Sequence, residues 1–303
     1  MLAVILLKQI AVMAILTALG LVLCKLKMLS EQTTKELGAV LVKAVIPCVL
    51  FRAFVTVPYS PETARSLLIA FGYSFLTYVI TLGIAYLIYG TRDRMNNFGA
   101  SFCNAGFMGV PLVQAVAGDT GVFYLATSMA LLNLFQWTFG VSVMIGRKNS
   151  FSPKLIFANP MMVSVILGMV FFFLRIPVPE VLLTSLGSIA AIFTPVAMIL
   201  LGSYMARVSW NEILALRPLL CSLVRLLLIP LITIAVTMVL PKAYRSVYMP
   251  ILLASFIPIG VNICIYAQQH DQDYAYSVIL VCLSTILSVA TVPLVYSLAD
   301  RVI

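Results

Sequence analysis

Charged residues are scarce in this chain of 303 residues. They make up 10% of it, against about a quarter in soluble domains, while hydrophobic residues make up 62% and the mean hydropathy is +1.11. Such a chain cannot cover a folded surface with polar groups, which excludes a water-soluble globular protein. The composition therefore predicts an all-α integral membrane protein whose helices contact lipid.

The residues that usually build catalytic and metal sites are also few. The one histidine, His270, falls in a predicted loop, and the six cysteines stand singly in apolar stretches without a C-x-x-C pair. This argues against a metal site, a disulfide framework or a membrane enzyme. We expect no enzyme activity and no cofactor, while coupling to H⁺ or Na⁺ stays open. The 19 Lys and Arg exceed the 10 Asp and Glu, but no basic run reaches five residues. Membrane insertion, and not nucleic-acid binding, accounts for that excess.

Long polar segments are absent as well. Ten apolar stretches of about 20 residues, the length that crosses a bilayer core, are separated by short polar connections. Residues 2–24 are interpreted as the first span and not as a signal peptide, because Lys8 lies inside the apolar run and no cleavage site follows. The predicted spans are 2–24, 34–57, 66–89, 97–117, 120–145, 154–174, 181–205, 213–240, 247–268 and 274–297.

Cations in the connections predict the orientation of the chain. Ten of them, such as Lys25 and Arg92, fall on one side of the membrane, and five, such as Arg65 and Arg175, fall on the other. The richer side is expected to be cytoplasmic. Both termini would then lie outside the cell, in a multi-pass protein of the plasma (inner) membrane.

The two halves of the chain share a pattern. Gly20 and Pro47 are 27 residues apart, as are Gly168 and Pro195, at an offset of 148 residues. Pro111 in the fourth span and Pro258 in the ninth match at an offset of 147. This predicts two five-helix repeats, 1–146 and 154–303, the second inverted because five is odd. Inverted repeats with broken helices in corresponding positions point to a secondary transporter, although unrelated kinked helices stay an alternative.

The fourth and ninth spans contain poor helix formers where lipid offers no hydrogen-bond partners. We expect Gly106 and Gly109 to unwind the fourth span before Pro111 begins a new half-helix. Asn262 would cap the second half of the ninth span. The two half-helix N-termini would then meet at a polar site suited to a carboxylate. Pro258 and Gly260 are predicted to break the ninth span.

Acidic residues are missing from the span interiors. All ten lie in connections or at span ends, whereas Lys43 and Arg225 lie well inside the second and eighth spans. Intramembrane cations without carboxylate partners are costly and usually functional, so an anionic substrate is a natural counter-ion. The alternative is that each bonds to backbone carbonyls or extends to an interface. Asn133 and Gln136 in the fifth span either line a transport path or join neighbouring helices.

Five sequence motifs are spread over essentially the whole chain: NAGFMGVPL, TPVAMILLGSYMA, RLLLIPLI, IPIGVN and STILSVATVPL. Together they resemble the auxin efflux carrier family of bacterial and plant organic-anion transporters. The family resemblance, of bacterial type, implies ten helices in two inverted repeats, with crossing broken helices 4 and 9. Sodium–proton antiporters and bile-acid symporters share this broken-helix arrangement.

The resemblance also implies a mechanism and partners. Spans 1, 2, 6 and 7 would form a scaffold through which homodimers assemble, and spans 3–5 and 8–10 would form a transport domain that moves in an elevator-type cycle. Substrates in the family are auxin, malate, malonate and similar carboxylates. The role of a carboxylate-binding asparagine carries over to Asn104, seven residues before Pro111. Asn262 near the place of a second plant-type proline suggests a smaller, more polar carboxylate than auxin.

Two other functional classes stay open at this point. One is a membrane-embedded ligand sensor on a transporter fold, for which we would expect an appended soluble domain. The other is a sodium-coupled symporter of the bile-acid type. The lack of intramembrane carboxylates weighs most against a sodium–proton antiporter.

Overall fold

A computed structural model describes residues 2–146, 159–207 and 215–303, and within these ranges the regular structure is helical. A single antiparallel β-bridge, Cys103 to Ile259, is the other backbone pairing. In chain order the helices are α1 Leu2–Lys25, α2 Glu31–Thr56, α3 Pro61–Tyr89, α4 Arg94–Ser101, α5 Ala105–Met144, α6 Pro160–Leu174, α7 Glu180–Met205, α8 Leu216–Thr237, α9 Arg245–Phe256, α10 Asn262–Gln269 and α11 Tyr274–Val302.

Among the described residues, seven helices are long and apolar enough to cross a membrane: α1, α2, α3, α5, α7, α8 and α11. The predicted span 97–117 is divided between α4 and the first part of α5. The chain then turns at Gly118, where a φ of 61° and a ψ of −157° interrupt the helix, and the second part of α5 continues through the predicted span 120–145. The predicted span 247–268 is divided between α9 and α10. The start of the span 154–174 lies outside the described residues.

The two broken segments cross each other. Residues 102–104 and 257–260 run past one another as two short antiparallel strands, in which the Asn104 N–H donates to the Pro258 carbonyl at 2.9 Å and the Gly260 N–H donates to the Phe102 carbonyl at 3.0 Å. A Cβ at Gly260 would lie 2.7 Å from the Cys103 carbonyl oxygen, so only glycine permits this approach. We call these two strands the crossover.

The break in the predicted fourth span comes earlier than expected. The prediction that Gly106 and Gly109 unwind the helix is wrong, because both lie in a wide π-helical turn, Ala105–Gly109, after the extended strand. Pro111 follows inside α5, whereas Pro258 lies in the crossover itself. The matched prolines are therefore not equivalent in structure. Pairing with the opposite strand sets the position of the break.

Proline also explains most of the π turns. Leu41–Val45 precedes Pro47, Ala105–Gly109 precedes Pro111 and Val224–Leu228 precedes Pro230. A proline inside a helix removes one N–H donor and clashes with the carbonyl one turn back. Widening the preceding turn relieves that clash, and π turns are common at functional sites. A fourth such turn, Gln136–Gly140, has no proline after it.

Glycines allow two close helix contacts around the matched positions. A Cβ at Gly20 in α1 would clash with the Ile199 backbone in α7, and a Cβ at Gly168 in α6 would lie 2.7 Å from the Phe54 ring in α2. On the same face of α7, a Cβ at Gly202 would clash with the Thr17 carbonyl oxygen. Helices α1 and α7 therefore pack backbone to backbone. Helix α6 packs its backbone against the Phe54 ring of α2.

Candidate functional site

A cavity of about 470 Å³ lies beside the crossover, and we call it the central cavity. It extends from the crossover strands to the first turns of α2 and the last turn of α7, with α5 and α10 along its sides. Its wall includes Glu31, Thr34, Lys35, Lys43, Cys103, Asn104, Ala105, Gly106, Phe107, Met129, Asn133, Gln136, Trp137, Asn159, Tyr204, Arg207, Gly260, Val261, Asn262, Tyr266 and Tyr274.

Carboxamide side chains are concentrated in this wall. Asn262 Nδ2 donates to Gln136 Oε1 at 3.0 Å, and Asn159 Nδ2 donates to Asn133 Oδ1 at 3.3 Å. In these bonds the side-chain oxygen atoms of Gln136 and Asn133 are the acceptors, and the NH₂ groups of these two residues take no part. The prediction that Asn262 caps α10 is wrong, because its side chain is occupied with Gln136 and the helix has Val261 at its N-cap.

Three buried amide donors in the wall have no hydrogen-bond partner within the described residues. They belong to Asn104, Asn133 and Gln136, which are 5%, 4% and 1% exposed. Leaving a buried donor unpaired costs about 1–3 kcal/mol, so such groups are rare unless something else binds them. Three of them in one cavity make it the candidate site for a group that accepts hydrogen bonds.

The charge of the central cavity is positive. Lys35 pairs with Glu31 at 2.8 Å, and Arg207 donates to Thr34 Oγ1 at 3.1 Å. Lys43, in the π turn of α2, is exposed and makes no ion pair with any residue in the described ranges. Three cations and one carboxylate give these lining residues a formal net charge of +2.

Two helix N-termini add to this positive potential. Helices α5 and α10 both begin at the crossover, and Ala105 and Asn262 line the cavity. Helices that begin in the connections, such as α2 at Ser30 and α11 at Asp273, are capped by a side chain. Within the part of the chain that the structure describes, neither α5 nor α10 has a side-chain cap. In α10 the Ile263 and Cys264 N–H groups donate to the Gly260 and Val261 carbonyls instead. The positive dipole ends of both helices favour an anion.

The structure brings five of the nine predicted site residues to the central cavity: Lys43, Asn104, Gly106, Gly260 and Asn262. Gly109 and Pro258 do not line the cavity but contact residues of the crossover. A Cβ at Gly109 would come 3.1 Å from the Ile257 side chain, and the Pro258 carbonyl accepts from the Asn104 N–H. Pro111 and Arg225 lie elsewhere.

Arg225 is 1% exposed and does not line the central cavity. Its guanidinium group donates to three backbone carbonyl oxygens, those of Ile257 at 3.2 Å, Ala100 at 3.3 Å and Ser255 at 3.0 Å. This is the backbone-bonded alternative that the sequence left open.

A second cavity, of about 340 Å³, was not anticipated from the sequence. It contains Pro111 and lies between α5 and the helices α1, α2 and α7. Along α2 it covers Val49–Ala53, whereas the central cavity covers Glu31–Ile46, so the two cavities lie toward opposite ends of that helix.

An ion pair joins two walls of this second cavity. Arg52 of α2 binds Asp119 through two parallel contacts of 3.0 and 3.2 Å, and Gln114 donates to the same carboxylate at 3.0 Å. Arg52 lies inside the predicted span 34–57, as Lys43 does, and that signal could have identified it. Asp119 is one of the ten acidic residues outside the span interiors, and it directly follows the kink at Gly118.

Asp93 lies at the N-terminus of α4, the first half of the broken fourth span. This residue caps α4 by accepting from the Asn96 N–H at 3.3 Å, and it pairs with Arg217 of α8 at 2.8 Å. Partial burial disfavours its charged form, but the bonds from Arg217 and Asn96 outweigh burial and lower the pKa of Asp93.

Long apolar helices, two broken segments that cross, and a polar cavity at their crossing define a multi-pass helical membrane protein. A model of the family described as membrane transport protein, of the auxin efflux carrier type, matches residues 5–155 and 146–296. The chain belongs to this family, and the resemblance inferred from its motifs is confirmed. No curated protein sequence matches the chain.

Proposed function

We propose that the protein is a secondary transporter of small organic anions, such as malate, malonate or auxin-like carboxylates, and that it binds them in the central cavity. Membership in a transporter family supports the general activity. The observation that carries the choice of substrate is the set of three buried amide donors, on Asn104, Asn133 and Gln136, that have no partner among the residues the structure describes.

A carboxylate complements these groups chemically. When ionised it is an acceptor only, with about four lone-pair sites for N–H donors. Hydrogen bonds to a charged group are shorter and roughly twice as strong as neutral ones. Lys43 and the N-termini of α5 and α10 supply positive potential in the same space. The cavity volume of about 470 Å³ lies within the range of small-molecule sites, and it exceeds what a four-carbon acid fills.

The proposed cycle is alternating access of the elevator type. Helices α1, α2, α6 and α7 act as the scaffold, and the helices from α3 to α5 and from α8 to α11 carry the substrate. The two cavities support this division, because both lie between these groups of helices and toward opposite ends of α2. In this cycle the bidentate Arg52–Asp119 pair joins α2 to α5 across the second cavity while the central cavity is open.

The finer architecture belongs to the same proposal. We infer ten spans in two inverted repeats, 1–146 and 154–303, with α4 and the first part of α5 as the fourth span and α9 with α10 as the ninth. The contacts at Gly20 and Gly168 support the repeat, because in each case the first helix of one half packs on the second helix of the other. The scaffold would form the interface of a homodimer in the plasma membrane, with both termini outside.

The test is uptake of radiolabelled malate into proteoliposomes, with unlabelled malonate as competitor. We expect saturable uptake that malonate inhibits, and uptake itself separates a carrier from a ligand sensor. Asn104→Ala should reduce uptake strongly. Gln114→Ala is a matched control, since Gln114 is a carboxamide ten residues further along the chain, in α5, but lies in the second cavity. Equal loss in both variants would contradict the site, and wild-type protein without carboxylate uptake would contradict the function.

A further inference from the structure

Arg225 is a buried cation whose guanidinium group binds backbone carbonyl groups. It lies in the π turn Val224–Leu228 of α8, and its Nε, Nη1 and Nη2 atoms each donate to a different carbonyl oxygen, at 3.2, 3.3 and 3.0 Å. Within residues 2–146, 159–207 and 215–303, no carboxylate forms an ion pair with it. A buried guanidinium group without a carboxylate partner is costly. The backbone carbonyls that compensate its charge therefore indicate its role.

The three acceptors are the orphan carbonyls of two broken helices. Ala100 is in the last turn of α4, Ser255 is in the last turn of α9, and Ile257 directly follows α9. The last four carbonyls of a helix lack intrahelical partners, and the helix end has about half a negative elementary charge. Two such ends together match the single positive charge of a guanidinium group. Arg225 therefore neutralises the C-terminal ends of both half-helices at once.

We infer that Arg225 is a tethered cation that takes the place of a mobile metal ion at the crossover. In transporters with broken helices, the half-helix C-termini and unwound carbonyls are the groups that coordinate a coupling Na⁺. Here three of those carbonyls bind Arg225 instead. Transport therefore proceeds without an alkali cation, and the part of this inference that concerns transport rests on the proposed function.

Arg225 also positions the substrate site without touching it. Its acceptor Ile257 precedes Pro258, whose carbonyl accepts from the Asn104 N–H at 2.9 Å. The guanidinium group thus fixes the strand that orients Asn104, one of the three unpartnered donors. We class Arg225 as a positioning residue. Its loss should lower the maximal uptake rate and loosen the crossover, with the anion-binding groups still present.

The first test compares malate uptake by the wild-type protein in Na⁺, K⁺ or choline as the main cation. We expect equal rates in all three. A requirement for Na⁺ or K⁺ would overturn the inference. If the wild-type protein transports no carboxylate in any of these media, the proposed function fails, and the second test still decides the role of Arg225.

The second test is thermal unfolding of detergent-solubilised protein in the same salts and with millimolar guanidinium. The melting temperature of wild-type protein should be indifferent to the cation. Arg225→Ala should melt lower and recover in part with Na⁺ or guanidinium, since both can occupy the vacated carbonyls. Arg217→Ala is the matched control, because this arginine lies on the same helix but pairs with Asp93, and we expect no recovery there.

A variant that keeps the charge provides a further test in case Arg225→Ala does not fold. Arg225→Lys should fold, melt between wild type and Arg225→Ala, and stay insensitive to Na⁺, since an ammonium group remains but cannot span three carbonyls in the same fork. Wild-type protein stabilised by Na⁺, or Arg225→Ala that folds as stably as wild type in choline, would overturn the inference.

Discussion

Lys43 offers the sharpest test of the anion site. Among the described residues Lys43 has neither an ion-pair partner, as Lys35 has, nor a side-chain hydrogen bond, as Arg207 has, and it lies in the π turn of α2 opposite the crossover. Lys43→Met keeps most of the side-chain length and removes the charge. A hydrogen bond to a charged group contributes about 1.5–3 kcal/mol, and each 1.4 kcal/mol is a factor of ten in affinity. Water in an open cavity screens the charge, so we expect the dissociation constant for malate to rise about tenfold.

Lys35→Met is the matched control for this prediction. Lys35 is on the same helix and lines the same cavity, but it is already paired with Glu31. Its loss should change malate affinity by much less. Lys43→Arg should stay close to wild type because the charge is kept. The assay is equilibrium binding of radiolabelled malate to purified protein. Equal affinities for Lys43→Met and wild type, or equal losses for the two methionine variants, would refute the reasoning.

Three further predictions concern stability and use thermal or denaturant unfolding in detergent. A double-mutant cycle of Arg52→Gln and Asp119→Asn should give a coupling energy of about 1 kcal/mol, since the pair is bidentate but 29% and 33% exposed; additive losses would contradict it. Gly202→Ala should destabilise the protein by about 1–3 kcal/mol because its Cβ would clash with α1 backbone, whereas Gly72→Ala, with nothing within 4 Å, should not; equal effects would contradict the α1–α7 contact. The lowered pKa of Asp93 means that its stabilising effect is present above the unfolded pKa of about 3.9 and is lost as pH falls through the folded value. Asp93→Asn should flatten that part of the stability profile, and an unchanged acid profile would contradict the pairing.

Composition and motifs predicted the class of the protein and the two interrupted spans, but not where the fourth span breaks. Residues 102–104 contain neither glycine nor proline, so no local signal marks them. They leave the helix because they pair with residues 257–260, more than 150 positions away in the chain. A contact of this kind overrides local helix propensity.

The candidate site was predicted in the same uneven way. Asn104 is assigned by the family resemblance, and Lys43 is recognisable in sequence as a cation inside a span that has no acidic residue in its interior. The partner of Asn262 is Gln136, 126 residues earlier, and the partner of Arg52 is Asp119, 67 residues later. Spacing along the chain does not indicate such pairs. They follow from how the helices pack.

The central claim is that the central cavity binds a small carboxylate, and Trp137 in its wall provides a direct probe. The chain has two tryptophans, so Trp210→Phe leaves Trp137 as the single reporter. We would titrate malate against the fluorescence of this protein, with and without Asn104→Ala. The account predicts a saturable change that weakens strongly in the Asn104→Ala variant. A fluorescence that malate leaves unaltered, or a saturable change that Asn104→Ala leaves intact, would contradict it.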